Sequence, residues 1–289
     1  MVTARTRAFA AALTTVVLWA GSFPLATIAL GSFEPAALAA FRIGMAACLM
    51  LIWWAWRRPR LPSLVDALRL ALCGGIGIGA YNLLINAGQQ TVAASATSFI
   101  VNVAPVITAA LGVAFLNERF TNWAWAGTLI SFIGVAVIAI GQPGGLTFGA
   151  GSSLILAAAV SQAVFFVLQR PLLARYGPST CAPAVIIFGA LCLAPWLPGA
   201  IPQVVSASGP ALLSAIMLAV FPAAIGYATW GVAQAYFGAS RAANFLYLVP
   251  PVATVMELVV LGKGPTVTTL VGGTLAVAGV ALVNAFGRE

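Results

Sequence analysis

Ten apolar runs of about twenty residues divide this chain, the length a helix needs to cross a hydrocarbon core of ~30 Å. They lie at Phe9–Leu30, Pro35–Trp56, Ala67–Ala87, Ala93–Leu116, Trp123–Gly141, Ala150–Gln169, Ser179–Leu197, Pro210–Gly231, Ser240–Leu261 and Val267–Phe286. In lipid every backbone polar group must pair within its own segment or a closed barrel, so each run is expected to be a helix. Only 6% of residues are charged and 62% are hydrophobic; a soluble domain covers itself with about 25% charged residues. The expected class is therefore an all-α integral membrane protein with no soluble domain. The longest linker, Pro198 to Gly209, carries Pro198, Gly199, Pro202 and Gly209 and reads as a loop. The first run follows Arg5 and Arg7 as a signal peptide would, but it is long enough to span. Ser22, Phe23 and Pro24 interrupt it without a clean cleavage site, so it reads as the first transmembrane helix.

The arginines set the orientation. With linkers numbered alternately, Arg5, Arg7, Arg57, Arg58, Arg60, Arg69, Arg119, Arg170, Arg175, Arg241 and Arg288 fall on one side and only Lys263 on the other. The positive-inside rule makes the first side cytoplasmic, with both termini inside a multi-pass protein of the inner (plasma) membrane. A missed or invented helix would scramble this separation. Trp53, Trp54 and Trp56 gather at a cytoplasmic end, where an aromatic belt is expected. The net charge of +8 is spread over loops, which argues against a nucleic-acid partner.

The stretch from Ala93 to Gly141 returns at Gly238 to Phe286. At a constant offset of 145 residues, Pro105 falls on Pro250, Leu116 on Leu261, Thr121 on Thr266, Gly127 on Gly272 and Gly134 on Gly279. Alanine and valine matches are inflated in so apolar a chain, so the weight rests on the prolines and glycines. The offset is half the length, giving halves 1–145 and 146–289 with five helices each. An odd number of crossings inverts the second half relative to the first. Inverted repeats characterise secondary transporters, whose site lies near the midplane between the halves.

Several chemistries are excluded. There is no His, which removes imidazole metal sites, Ser-His-Asp triads and His pH switches. Cys48, Cys73, Cys181 and Cys192 lie inside apolar runs without CxxC spacing and read as small hydrophobes. Gly74, Gly75, Gly77 and Gly79 mimic a nucleotide loop but lack a preceding strand, so close helix approach is the better reading. Gly127 and Gly134, with Gly272 and Gly279, share helix faces; packing within one chain and a dimer seam both stay open, and with them the oligomeric state. No cofactor is expected. A membrane-embedded enzyme or receptor finds no support in these residues.

Trp19 among small residues, Phe41-Arg42 early in the second run, Pro105 and Pro250 midway along the fourth and ninth, Glu118 closing the fourth, and Gly127 and Gly134 in the fifth resemble the drug/metabolite transporter superfamily, specifically its EamA-type carriers. The resemblance covers the whole chain and implies two five-helix halves and alternating access. Among such carriers the chain looks most like amino-acid exporters, including aromatic amino-acid exporters of the YddG type; export is implied by the resemblance alone. One departure is Leu261-Gly262-Lys263, where an acid matching Glu118 is often found; Glu257 lies further back instead. A proton-coupled carrier of the small multidrug type would resemble a central Glu in the first helix, and none is present.

Polar side chains are costly in a bilayer and usually face the bundle interior. Trp19, Ser22, Tyr81, Asn82, Asn102, Gln162, Phe165, Tyr227, Trp230 and Tyr247 are the candidate substrate-binding residues. For each alone, interhelical packing is an equal alternative; together they suggest amide donors and acceptors between aromatic walls, with few charges. A phosphate-bearing substrate would call for several embedded cations, and only Arg42 is embedded. A small neutral or zwitterionic solute, foremost an aromatic or aliphatic amino acid, fits better; amphipathic drugs and nucleosides are the alternative.

Pro105 and Pro250 each remove an intrahelical hydrogen bond, freeing the carbonyls of Val101 and Leu246. Hinge and fixed kink are both open. Arg42 lies ~10 Å and Glu257 ~6 Å from the outer ends of their runs by helical rise. They are candidates for an outer gate or ion pair, with snorkelling of each as the alternative.

Overall fold

The computed structural model describes residues 3–92, 94–141, 151–261 and 266–286. These are helical, with no strand among them. Among the described residues nine helices are long and apolar enough to cross a membrane. They are α1 Ala4–Ala29, α2 Pro35–Arg57, α3 Leu64–Gly88, α4 Ala96–Leu116, α5 Asn122–Ile140, α6 Ser152–Tyr176, α7 Pro178–Ser206, α8 Gly209–Phe237 and, last in the chain, α10 Val267–Phe286. The run expected at Ser240–Leu261 is α9, built from three consecutive pieces: a helix Ala239–Asn244, a 3-10 turn Phe245–Leu248 and a helix Val249–Leu261.

Local chemistry fixes the helix ends. Thr3, Ser63, Thr121 and Ser208 each accept from a backbone N–H in the first turn of α1, α3, α5 and α8, pairing one of the donors a helix start leaves open. Pro35 and Pro178 begin α2 and α7, where a missing N–H costs nothing. Gly177 and Gly238 separate α6 from α7 and α8 from α9 at φ values of 76° and 85°, a region that favours glycine.

The linker expected as a loop at Pro198–Gly209 is instead largely helical. A 3-10 turn at Ala194–Trp196 leads into a second helix, Leu197–Ser206. Pro198 sits in its first turn, so it starts this helix where it was expected to signal a loop.

Lipid tails are as apolar as leucine, so helix association in a membrane rests on close packing of small residues. Alanine is accordingly the commonest residue of the buried core among the described residues. A Cβ on Gly74 would lie 2.5 Å from the Val185 carbonyl and one on Gly79 3.3 Å from Cys192, which holds α3 against α7. The glycine face of α5 packs on that of α10 within this one chain. A Cβ on Gly127 would stand 2.7 Å from the Gly279 carbonyl, and one on Gly134 2.5 Å from that of Gly272. Ser131 donates to the Ala276 carbonyl at 3.1 Å between them. Rising residue numbers on α5 meet falling numbers on α10, so the two helices run antiparallel. Cys73 and Cys181 are buried, and Cys48 and Cys192 face outward.

Candidate functional site

The helices are irregular in matching places. Residues Gly75–Ala80 of α3 and Ala219–Gly226 of α8 are π-helical, and the offset of 145 carries the first stretch into the second. α4 breaks at Asn102–Val103 and restarts at Ala104; the same offset leads to the 3-10 turn of α9. Pro105 and Pro250 therefore stand in the first turns of new helical pieces, where proline is tolerated, and not inside continuous kinked helices. The Leu246 carbonyl, expected to be freed by Pro250, accepts from the Val249 N–H as the backbone tightens to 3-10 geometry. α1 is interrupted at Gly21, where Ser22 Oγ donates to the Trp19 carbonyl at 2.6 Å.

These breaks surround one central cavity of about 50 Å³. Trp19, Ser22, Tyr81, Asn102, Gln162 and Tyr227 line it, and so do Arg42, Val101 and Leu246. Non-helical backbone at membrane depth is tolerated where it lines such a space, and π-bulges recur at functional sites. Tyr81 and Tyr227 each directly follow a π segment, and Val101 and Leu246 precede the two prolines by four residues.

Aromatic rings back one side. The Trp19 indole N–H donates to the Pro222 carbonyl at 3.1 Å, tying α1 to α8. Its ring lies 5.3 Å from Tyr227, 5.4 Å from Trp230 and 6.5 Å from Phe166, centroid to centroid. The polar side chains are incompletely paired. Asn102 Nδ2 donates to the Ser98 carbonyl at 2.7 Å, which leaves its Oδ1 buried and without a donor, as is Gln162 Oε1. Arg42, 7% exposed, has a buried Nε with no hydrogen-bond partner.

Four candidate residues lie elsewhere. Asn82 is buried behind the cavity, its Nδ2 donating to the Ile78 carbonyl at 2.7 Å within α3. Phe165 fills the space over Gly77, where any Cβ would collide with its ring. Trp230 is 1% exposed and stacks in the aromatic cluster, 4.5 Å from Phe166. Tyr247, at the position repeating Asn102, is fully buried. Phe165, Trp230 and Tyr247 are apolar enough over most of their surface to serve as packing, Asn82 is tied to its own helix, and only the three-dimensional arrangement separates the four from the lining residues. Arg42, expected as an outer gate, is part of the cavity wall. Glu257 lies in the last piece of α9, and its side chain falls outside the described residues.

Sequence reasoning read Glu118 only as the close of the fourth run and passed over Asp66; both sit at the arginine-rich end. Glu118, on the turn after α4, accepts from the Ala239 and Ser240 N–H groups at 2.7 and 2.9 Å. Arg170 Nε stands 3.9 Å away. Asp66 accepts from Arg175 at 2.6 Å, Tyr176 at 2.8 Å and Arg69 at 3.2 Å. Two carboxylates of the first half thus clamp α6 and the start of α9 in the second. All ion pairs among the described residues lie at this end. At the other end the links are neutral, such as Glu34 N–H to Gln203 Oε1 at 2.8 Å and Gly151 N–H to Thr91 Oγ1 at 2.9 Å.

A family model, described as EamA-like transporter family, matches residues 6–140 and again 149–285. Over 270 residues the chain is 37% identical to a probable terminal-alkyne amino-acid exporter of Streptantibioticus cattleyicolor, with 93% of this chain and 91% of that protein covered. It is 34% identical over 264 residues to an uncharacterized transporter, YdfC, of Bacillus subtilis, covering 91% and 86%. A protein of known crystal structure, 19% identical, superposes with a TM-score of 0.80 over 97% of both chains, a likeness of fold. The spanning helices and these matches describe a multi-pass membrane transporter rather than an enzyme, and the chain belongs to the EamA-like transporter family.

Proposed function

We propose that this protein is a secondary carrier that exports a small zwitterionic metabolite, an amino acid with an aromatic or other apolar side chain, across the inner membrane by alternating access. The carrying observation is the central cavity. It joins aromatic walls and unpaired buried amide oxygens to one buried cation, and it lies where helix breaks related by the repeat converge. At about 50 Å³ it falls well below the ~300 Å³ at which ordinary ligand sites begin. The walls must part before a metabolite enters, which suits a carrier whose two halves rock.

The architecture belonging to this reading is ten transmembrane helices in two inverted halves, 1–145 and 146–289, forming one membrane domain. α9 supplies the tenth crossing, both termini are cytoplasmic, and the arginine-rich end faces the cytoplasm. The antiparallel glycine contact of α5 with α10 supports the inversion. The amino-acid class draws support from the name of the 37% identical relative.

Uptake into proteoliposomes by a panel of labelled amino acids, nucleosides and amphipathic drugs tests the substrate class. Saturable movement of amino acids alone is expected. Preference for nucleosides or drugs would overturn it in favour of the alternative. A proton or sodium gradient imposed in the same vesicles reads out coupling.

A further inference from the structure

Arg42 stands out in the molecule. Burying part of a guanidinium without a hydrogen-bond partner is costly, and charged groups at membrane depth usually mark a substrate path. Arg42 is 7% exposed, its Nε is unpaired, and no carboxylate lines the cavity among the described residues. Its planar fork matches a carboxylate in two parallel bonds.

The complementary groups belong to two other residues of the same lining. Asn102 Oδ1 and Gln162 Oε1 are buried acceptors without donors. The Asn102 amide is oriented by its own bond to the Ser98 carbonyl, which turns Oδ1 away from that bond. An ammonium brings three donors and no acceptor, the inventory such a pair lacks. The Trp19 indole N–H is already committed to Pro222, so Trp19 offers the cavity a ring face.

We infer that Arg42 is the receptor for the substrate's carboxylate and that Asn102 and Gln162 receive its ammonium, so that the carrier selects the α-amino-acid head group. The side chain then lies along Trp19 and Tyr227. This deepens, and rests on, the amino-acid reading of the cavity.

The test compares L-leucine and L-propargylglycine with their carboxamides and with 4-methylpentanoate, as competitors and as labelled substrates. Wild-type, Arg42→Gln, Arg42→Lys and Glu257→Gln proteins are reconstituted in proteoliposomes. In wild type, each carboxamide is expected to bind at least tenfold more weakly than its acid, the scale of one charge-assisted bond. Arg42→Gln should bring acid and carboxamide together, Arg42→Lys should keep a preference for the acid, and Glu257→Gln should leave that preference intact. Thermal unfolding of each substrate-free variant reports whether it is folded. Equal binding of acid and carboxamide by wild type, or an undiminished preference in Arg42→Gln, overturns the inference while leaving the carrier reading in place. Loss of the preference in Glu257→Gln also overturns it, because Arg42 would then act through that acid. Uptake of 4-methylpentanoate but no amino acid, abolished in Arg42→Gln, would keep the carboxylate receptor and remove the amino-acid reading. Uptake of no carboxylate at all would remove both.

Discussion

Replacing Glu118 by Gln should loosen the start of α9 without unfolding the bundle. The carboxylate, with its side chain 20% exposed, pairs both the Ala239 and Ser240 N–H groups. Glutamine keeps one carbonyl oxygen and turns an amide N–H toward the other donor. One charge-assisted bond is lost and the survivor becomes neutral, a loss of about 2–3 kcal/mol at ~1.5–3 kcal/mol per bond to a charged group. Arg170, 3.9 Å away and 28% exposed, adds little to this. An opening equilibrium that shifts by 2–3 kcal/mol changes by a factor of about 30–150. Hydrogen exchange of the protein in detergent micelles measures such openings directly. The peptide spanning residues 238–248 should lose protection by that factor, while residues 152–160 exchange as before. Protection at 238–248 within about threefold of wild type would refute the clamp, since those amides would then owe their protection to packing alone.

Four further outcomes follow from the geometry. Gly134→Ala places its methyl group 2.5 Å from the Gly272 carbonyl, which cannot yield, and should destabilise the protein by about 1–3 kcal/mol. Gly199→Ala, with nothing within 4 Å, should be neutral or stabilising by up to ~1 kcal/mol; thermal unfolding in detergent compares them. Pro250→Ala should lower the transport rate more than it lowers the unfolding temperature if the break in α9 is a hinge, and equal losses would make it a fixed kink. Trp19→Phe keeps a ring wall but strips the Pro222 carbonyl of its donor, which should cost about 1 kcal/mol in the same unfolding assay.

Hydropathy and arginine placement carried the helices, because a span in lipid has almost no alternative to being apolar and helical. The repeat carried the locations of the breaks, through Pro105 and Pro250. It did not reveal their form: proline permits both a kink and a restart, and the choice lies with the 3-10 geometry that pairs Leu246 with Val249. The π segments went unread although Gly75–Ala80 is glycine-rich, because hydropathy does not change across them and the wider turn spans too few residues to show in the pattern of the sequence. At the site, Asn82 and Asn102 look alike in sequence. Both bond to the carbonyl four residues back, and which of them meets the cavity depends on neighbouring helices. Glu118 read as the end of α4, yet its partners are 121 and 122 residues away. Such a contact is written in the tertiary fold and leaves only the small residues Gly112 and Gly238 as a trace.

The seam between α5 and α10 has the form of an isologous interface. Gly127 meets Gly279 and Gly134 meets Gly272, so each residue contacts the counterpart of the other's partner. Ser131 bonds to Ala276, its own counterpart 145 residues on. That pattern is the signature of a two-fold axis between identical chains, here passing through a single polypeptide. In the inverted architecture proposed above that axis runs through the glycine seam, so a side chain added at any of the four positions would force α5 and α10 apart.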